Sequence, residues 1–300
     1  MTLIDLITAQ AARLKQAGVS FGHGTTNAFD EAAWLVMWSL GMDLGALEAK
    51  ANTRTNVEEQ SKAIALVGRR IDTRLPAAYL TREAWLQNVP FYIDERSIVP
   101  RSFIAELLVD GEQAGILDAW LSDRTLRVLD LCTGNGSLAV IAAMAYPDVK
   151  VVAADIDDGA LEIARINVHK HQLRDRIDVL NSDLFEQIGG RFDLIICNPP
   201  YVNHRSMSAL PPEYRHEPAL ALAGGDDGMD LVRKIVADAG AHLSEEGVLV
   251  LEIGNERRQF EAAFRRLEVA WLDTSAGADQ VLLVTRDALQ RLTSAQEARR

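Results

Sequence analysis

Four consecutive residues, Asn198-Pro199-Pro200-Tyr201, place a side-chain amide, two prolines and an aromatic ring directly after an apolar run at 192–197. Proline fixes its own φ and keeps the residue before it extended, so the pair holds the turn open and exposes main-chain carbonyls. The side-chain oxygen of Asn198 and the carbonyl of Pro199 can each accept one hydrogen of a planar NH2 group. With Tyr201 stacked on that group, the pattern predicts a catalytic role for Asn198, Pro199 and Tyr201.

A second candidate motif follows the strand-like run at 127–131. Gly134 and Gly136 let the backbone turn tightly and approach a ligand, and the start of the next helix presents free N–H groups. By itself this pattern fits a dinucleotide loop, a nucleoside loop or a plain tight turn.

Two carboxylates end the next two strand-like runs. Asp155 can accept two hydrogen bonds from vicinal ribose hydroxyls, or it can cap the helix that follows. Because Asp157 and Asp158 can cap equally well, Asp155 is freer for a ligand. Asp183 can accept from an exocyclic amine such as that of adenine, with Leu184 packed on the ring, or it is a turn carboxylate. Three strand ends that converge on one nucleoside are more specific than any one of them.

The candidate residues lie at the ends of strand-like runs that alternate with helical patterns. These runs are 127–131, 149–155, 177–180, 192–197, 247–253 and 279–285. The alternation predicts an α/β fold with right-handed βαβ units, a mostly parallel sheet and helices on both faces. In such sheets a ligand binds beyond the carboxyl ends of the strands, near the point where strand order reverses. The candidate residues are therefore expected to meet in one site.

The amino-terminal part of the chain has helical periodicity and no titratable cluster. Capping patterns at Thr2 with Asp5, at Asn27, and at Asn56 with Glu59 predict three helices. This part of the chain is therefore expected to form a small helical domain.

The chain then becomes extended and afterwards helical again. Apolar runs around residues 87–90 predict a β-hairpin, and one helix is predicted over 103–121. We therefore predict a helical domain at 1–80, a hairpin linker at 81–100 and a catalytic domain at 101–300.

Composition and charge narrow the functional classes. The hydrophobic content of 48% fits a globular protein, and no apolar run reaches the roughly 18 residues of a membrane span, so no membrane partner is expected. A net charge of −12 argues against stable nucleic-acid binding and favours a basic protein partner. Cys132 and Cys197 are the only cysteines, and no signal-peptide pattern is present, which predicts a cytoplasmic location. Metal-ligand spacing is absent, and no metal is expected.

Together these motifs resemble class I S-adenosylmethionine-dependent methyltransferases, and within that class the HemK-like glutamine N5-methyltransferases, which implies a Rossmann-like fold. The resemblance rests on Asp130-x-x-x-Gly134-x-Gly136, Asp155, Ser182-Asp183, Asn198-Pro199-Pro200-Tyr201, Val99-Pro100-Arg101, Glu217-Pro218-Ala219-Leu220 and Leu251-Glu252-Ile253-Gly254. It covers nearly the whole chain. One departure is Cys132, where many members have a glycine.

Within the family, Cys132 with Tyr201-Val202, residues 211–218 and Glu252-Ile253-Gly254-Asn255 looks most like one branch. That branch methylates a glutamine of large-subunit ribosomal protein three, which implies a basic ribosomal protein as partner. The sister branch methylates the Gly-Gly-Gln glutamine of peptide-chain release factors and stays an alternative. In the family the helical domain helps to recognise the protein substrate.

The resemblance also implies specific contacts and S-adenosyl-L-methionine as cofactor, with S-adenosyl-L-homocysteine as product. Cofactor contacts are implied for Asp130, Cys132, Thr133, Gly134, Asn135, Gly136, Asp155, Ile156, Asp183, Leu184 and Asn198. Substrate contacts are implied for Asn198, Pro199, Pro200, Tyr201 and Arg101. Because an exocyclic adenine amine is also a planar NH2, adenine-N6 methylation of nucleic acid is a further hypothesis, which the acidic balance opposes. The last hypothesis is that the protein is a non-catalytic assembly factor that binds the cofactor.

Overall fold

The computed structural model of the chain describes residues 1–109, 116–121 and 124–297. In that part of the chain, no helix is long and apolar enough to cross a membrane.

Five helices form the amino-terminal region, and their apolar faces share one hydrophobic core. They are α1 (Leu3–Gln16), α2 (Ala28–Ser39), α3 (Leu47–Lys50), α4 (Val57–Thr73) and α5 (Ala77–Thr81). That core also includes Ile93 and Val99 from the extended stretch and Ile163 from a later helix. The helical region is therefore packed onto the rest of the chain, while the domain boundaries stay a prediction.

The predicted helix caps are confirmed. The side chain of Thr2 accepts the Asp5 N–H and the Asp5 carboxylate accepts the Thr2 N–H, which is a reciprocal capping box at α1. Asn56 and Glu59 form the same arrangement at α4, and Asn27 caps α2. These local hydrogen bonds explain why short sequence patterns located three helix starts.

The predicted hairpin is also confirmed. Strands β1 (Glu83–Leu86) and β2 (Val89–Tyr92) pair antiparallel. The two residues between them, Gln87 and Asn88, have φ of 49° and 60°. Positive φ at both central positions is the backbone of the tight hairpin turn whose twist matches that of the strands.

The rest of the chain forms a seven-stranded sheet in the order β5-β4-β3-β6-β7-β9-β8. The strands are β3 (Arg127–Leu131), β4 (Lys150–Asp155), β5 (Ile177–Asn181), β6 (Phe192–Cys197), β7 (Leu243–Glu252), β8 (Ala270–Thr274) and β9 (Gly277–Thr285). Neighbouring strands from β5 to β7 are parallel, whereas β9 is antiparallel to both β7 and β8. The predicted mostly parallel sheet is confirmed, and its strand order reverses between β3 and β6.

Helices cover both faces of this sheet, as predicted. They are α6 (Ile104–Leu108), α7 (Ser137–Ala145), α8 (Asp158–Lys170), α10 (Asp230–His242), α11 (Arg257–Ala263) and α12 (Arg286–Glu297), whereas the short α9 (His204–Ala209) buries no residue and belongs to neither core. One hydrophobic core joins the sheet to α6, α7 and α8, and a second joins it to α10, α11 and α12. The two cores fix the strands between two layers of helices, so the carboxyl ends of the strands form one fixed edge.

Two predictions about elements need correction. Strand β8 has no counterpart among the predicted runs, since its sequence Ala-Trp-Leu-Asp-Thr is short and lies at the sheet edge. The single helix predicted over 103–121 ends at Leu108, because Val109 leaves the helical conformation with ψ of 82°. Residues 110–115 of that prediction lie outside the described residues, and a short 3-10 turn follows at Ile116–Ala119.

Candidate active site

The loop between β3 and α7 is organised by a buried carboxylate. Asp130 Oδ2 accepts the Thr133 hydroxyl and, at 2.9 Å, the Ala139 N–H. Burial raises the pKa of Asp130 to about 7, even though both hydrogen bonds oppose that rise. Gly136 has φ of 78°, and a Cβ there would lie 3.0 Å from the Cβ of Ala164 on α8. A glycine therefore lets the loop pack directly on α8.

Asp155, at the end of β4, holds the same loop from the other side. Its Oδ2 accepts the Gly134 N–H at 2.8 Å and its Oδ1 accepts the Asp157 N–H at 3.0 Å. Burial raises its pKa, although these hydrogen bonds counteract the effect. Asp157 caps α8 by accepting the Ala160 N–H at 2.9 Å. Of the two capping candidates, Asp157 supplies the cap, and Asp155 lines a pocket beside the loop.

A cavity of about 260 Å³ opens at the carboxyl ends of β3, β4, β5 and β6. This is the edge where strand order reverses, as the sequence predicted. The predicted site residues that line it are Cys132, Gly134, Asp155, Ile156, Asp183, Leu184, Asn198 and Pro200. The cavity lining does not include Asp130, Thr133, Asn135, Gly136, Pro199, Tyr201 or Arg101, all of which lie in the described part of the chain.

The Asn198–Tyr201 turn presents its amide to this cavity. Among the described residues, the Asn198 side chain has no hydrogen-bond partner, so both its oxygen and its NH2 are available. Tyr201 is held from behind, where its hydroxyl donates to Glu252 Oε1 at 3.3 Å. Gly254, with φ of 51°, faces the Tyr201 ring so closely that a Cβ there would lie 2.5 Å from Cε2. The turn thus combines a fixed ring with a free amide.

Curated relatives match nearly the whole of this chain. It is 52% identical to the ribosomal protein uL3 glutamine methyltransferase of Bordetella pertussis, over 96% of both chains. Its identity to the Burkholderia pseudomallei protein of the same name is 49%, over 94% of both chains, and to that of Neisseria gonorrhoeae 44%, over 96% and 95%. The chain belongs to the ribosomal protein uL3 glutamine methyltransferase family. The methyltransferase small domain family also matches residues 109–210.

Among solved structures, a methyltransferase from Pyrococcus furiosus has a TM-score of 0.47 with this chain at 17% identity. The match covers 67% of this chain and 90% of that one.

Methyltransferases of the family to which this chain belongs use S-adenosylmethionine as the methyl donor. The residues that line the cavity suit that molecule. At one end, Asp183 is exposed and its carboxylate accepts no hydrogen bond from the described residues. Ile156, which is 50% exposed, and Leu184 provide apolar surface beside it. At the other end, the buried hydroxyl of Ser97 lines the cavity without a hydrogen-bond partner in the described chain. Carboxylates for hydroxyls and an amine, apolar walls for a ring and a free hydroxyl are the groups that a nucleoside with an amino-acid tail requires.

Cys132 occupies a position in this loop where backbone conformation favours glycine. Its φ is 60°, in the left-handed region, and it lines the cavity. The glycine that many family members carry there is therefore explained by the backbone, and this chain accommodates a small side chain instead. Cys197 lies on the neighbouring strand, opposite Leu131.

Removing the Asp155 carboxylate is expected to weaken binding of S-adenosyl-L-homocysteine. Asp155→Ala deletes an acceptor in the cavity and releases the Gly134 N–H, so we expect an affinity lower by about 10–100-fold. Isothermal titration calorimetry measures this directly. Asp178→Ala, an exposed carboxylate on the neighbouring strand β5, is the matched control. Equal affinities in the two variants would contradict the assignment of Asp155.

Two segments of the cavity wall received no site prediction from the sequence. They are residues 96–98 and the stretch that supplies Pro218, Leu220 and Ala221, and Leu231 and Lys234 of α10 line the cavity beside them. Residues 96–98 adjoin Val99-Pro100-Arg101, and the second segment overlaps Glu217-Pro218-Ala219-Leu220, so the family resemblance was the available signal. No periodicity marks them, because one is irregular and the other is a single 3-10 turn.

Asn135 fixes one of these segments although it does not line the cavity. Its side-chain NH2 donates to the Ile98 carbonyl at 2.9 Å, and its own carbonyl accepts from Asn167 of α8 at 2.9 Å. Tyr79 of α5 donates to the Ser97 carbonyl at 2.7 Å. The wall at 96–98 is thus tied to the glycine loop and to the helical region at once.

Arg101, which is partly exposed, takes part in an ion pair with the fully buried Glu217. Both its terminal nitrogens donate to the Glu217 carboxylate, each at 2.6 Å, and the Val99 N–H adds a hydrogen bond at 3.0 Å. Burial alone would raise the pKa of Glu217, but His23 and Arg101 lower it to about 2. Sequence analysis assigned Arg101 to the substrate; the structure instead directs its guanidinium to Glu217, and substrate contact stays a prediction.

Glu252 is a functional residue to which sequence analysis gave no role. Its side chain is fully buried at the end of β7, and Oε2 accepts the Ser102 hydroxyl at 2.6 Å and the Phe103 N–H at 2.9 Å. Its other oxygen accepts from Tyr201. Burial raises the pKa of Glu252 to about 7 against these hydrogen bonds. Glu252 thus joins the Asn198–Tyr201 turn to the residues directly before α6.

Glu252 is expected to make the free energy of unfolding fall as the pH rises from 4.5 to about 7. The carboxyl titrates near 4.5 when unfolded and near 7 when folded, so the folded state holds the proton more tightly. Its contribution of about 3 kcal/mol is complete below this window and lost above it. Asp130 titrates in the same direction. Urea unfolding below pH 4.5 and above pH 7 should therefore show a smaller decrease in the free energy of unfolding for Glu252→Gln than for the wild type. An equal decrease in the two proteins would contradict the role of Glu252 in this pH dependence.

Proposed function

We propose that this chain transfers a methyl group from S-adenosyl-L-methionine to the side-chain amide nitrogen of a glutamine in ribosomal protein uL3. The observation that carries the proposal is the free amide of Asn198 in a cavity whose other walls suit a nucleoside. The relatives at 52%, 49% and 44% identity, all named for this activity, support it over nearly the full chain.

The chemistry that the site must assist is limited by the substrate. An amide nitrogen is a poor nucleophile, because its lone pair is delocalised into the carbonyl. When bound, S-adenosylmethionine supplies a methyl group on a positively charged sulfur. Asn198 Oδ1 and the Pro199 carbonyl hold the two amide hydrogens and so turn the lone pair toward the cavity. Alignment of this kind contributes about 7–11 kcal/mol in well-oriented reactions.

Tyr201 has a supporting part in this mechanism. Its ring packs against the flat amide and excludes water, and Glu252 and Gly254 fix the position of that ring. Directly after methyl transfer the amide nitrogen carries a positive charge, is strongly acidic and loses a proton readily to water, so the residues described need only hold and orient the substrate.

The net charge of −12 suits a basic ribosomal protein, because long-range attraction raises the rate of encounter. We place the reaction in the cytoplasm, where that protein is made. The Gly-Gly-Gln glutamine of release factors stays the nearest alternative, since it presents the same primary amide. The helical region at 1–80 would provide the surface that recognises the protein.

The deciding experiment incubates the purified chain and isotope-labelled S-adenosylmethionine with purified uL3, a release factor and duplex DNA in parallel. We expect label in uL3, at a glutamine that peptide mass spectrometry identifies. Label confined to the release factor would move the assignment to the sister branch. Label in DNA without label in protein would overturn the proposal in favour of an adenine-N6 activity.

A further inference from the structure

Residues 211–217 are called here the bridging segment, and Asn198–Tyr201 the catalytic turn. The bridging segment connects the catalytic turn to the helical region. The segment follows α9, which itself begins just after Tyr201. Two of its side chains, Glu213 and Glu217, are completely buried carboxylates, although Pro212 and Arg215 of the same short 3-10 segment are exposed. A buried carboxylate is costly unless it is paired, so each must have a specific partner.

Glu213 is inserted among cationic and N–H groups of the helical region. Its Oε1 accepts the Ser20 N–H at 2.9 Å, and lies 3.2 Å from Arg74 Nη1 and 3.4 Å from Arg70 Nη1. The His216 ring lies 3.0 Å from the Thr73 carbonyl beside them. The contacts join residues that are 139 to 193 positions apart in the chain.

The two arginines are fixed independently of Glu213. Arg70 donates to Glu31 and to the Ser20 carbonyl, each at 2.8 Å. Arg74 donates to the carbonyls of Gly18 and Ala17 at 2.8 Å and 2.7 Å. The helical region therefore presents a preformed cationic site, and Glu213 fits into it.

The carboxyl end of the bridging segment leads directly to the cofactor cavity. Glu217 is locked by Arg101, and Pro218, Leu220 and Ala221, which follow it, form part of the cavity wall. Immediately afterwards Ala223 pairs with Val202, the residue after Tyr201. A shift of the bridging segment would therefore move the cavity wall and the catalytic turn together.

We propose that Glu213 is a positioning residue, through which the helical region sets both the cofactor wall at 218–221 and the catalytic turn. The inference deepens the proposed function and rests on it for the protein substrate. Its consequence for the cofactor stands by itself: loosening Glu213 weakens the binding of S-adenosyl-L-homocysteine without any residue of the cavity having been changed.

The test is calorimetric titration of the full-length Glu213→Gln protein with S-adenosyl-L-homocysteine, with no protein substrate present. We expect roughly tenfold weaker affinity at unchanged stoichiometry, the size of ordinary coupling between two sites. Glu58→Gln, which removes an exposed carboxylate paired with Lys62 on α4, is the matched control and should bind like wild type. Arg74→Gln removes a partner of Glu213 and serves as second variant if Glu213→Gln does not fold.

The stoichiometry and the folded fraction together separate positioning from simple destabilisation. Irreversible unfolding lowers the number of binding sites at intact affinity, and reversible unfolding weakens the apparent affinity only at temperatures at which circular dichroism detects unfolded protein. Either outcome would overturn the proposal, as would unchanged affinity. Methylation kinetics form a second arm, in which the KM for the protein substrate should rise in Glu213→Gln. If wild type methylates none of the candidate proteins, the proposed function fails while the calorimetric arm still decides the role of Glu213.

Discussion

Replacing Asn198 by alanine is expected to lower kcat about 10²–10³-fold, because the reacting amide loses one of the two acceptors that orient its lone pair. The side chain lines the cavity and has no other partner among the described residues, so its loss disturbs no internal hydrogen bond. The effect should therefore appear in catalysis and not in folding. Single-turnover methylation of the protein substrate measures it.

Two further measurements make this result interpretable. Thermal unfolding of Asn198→Ala should match wild type, and Asn52→Ala, an exposed asparagine of the helical region, should keep full activity. A kcat close to that of wild type for Asn198→Ala would show that the amide is held elsewhere, and would remove the basis of the mechanism.

Replacing Gly254 by valine is expected to cost about 2–4 kcal/mol of unfolding free energy and to reduce kcat. Two causes add: the backbone lies in the left-handed region at φ of 51°, and the new Cβ would lie 2.5 Å from Tyr201 Cε2. A retreat of the ring would break the hydrogen bond from its hydroxyl to Glu252. Urea unfolding together with kcat measures both consequences.

Gly41 provides a matched control for the backbone part of this effect. It has a φ of 64°, and a Cβ there would meet no atom within 4 Å. Gly41→Val should therefore cost only about 1 kcal/mol, the backbone strain, and leave kcat unchanged. If Gly254→Val and Gly41→Val behaved alike, contact with the Tyr201 ring would not be what Gly254 permits.

Much of the fold and part of the site follow from local sequence. Capping residues such as Asn56 act within one helical turn, and the hairpin turn at Gln87-Asn88 needs only its own backbone. Strand ends that carry Asp155 and Asn198 must meet, because parallel strands bring their carboxyl ends to one edge. These features can be predicted from the sequence because each depends only on neighbouring residues or on the direction of parallel strands.

What only the tertiary structure decided depends on contacts between distant parts of the chain. The sequence motif implies a cofactor contact for Asp130. In the structure its buried carboxylate accepts hydrogen bonds from Thr133 and Ala139 instead. Nothing in the sequence assigns a partner to Glu213, yet it pairs with Arg70 and Arg74, and Glu217 pairs with Arg101. Such pairs have no periodicity or fixed spacing, since they form only after the helical region and the sheet have packed together. The sequence by itself determined which groups exist at the strand ends, and packing determined which of them face the cavity and which hold it in shape.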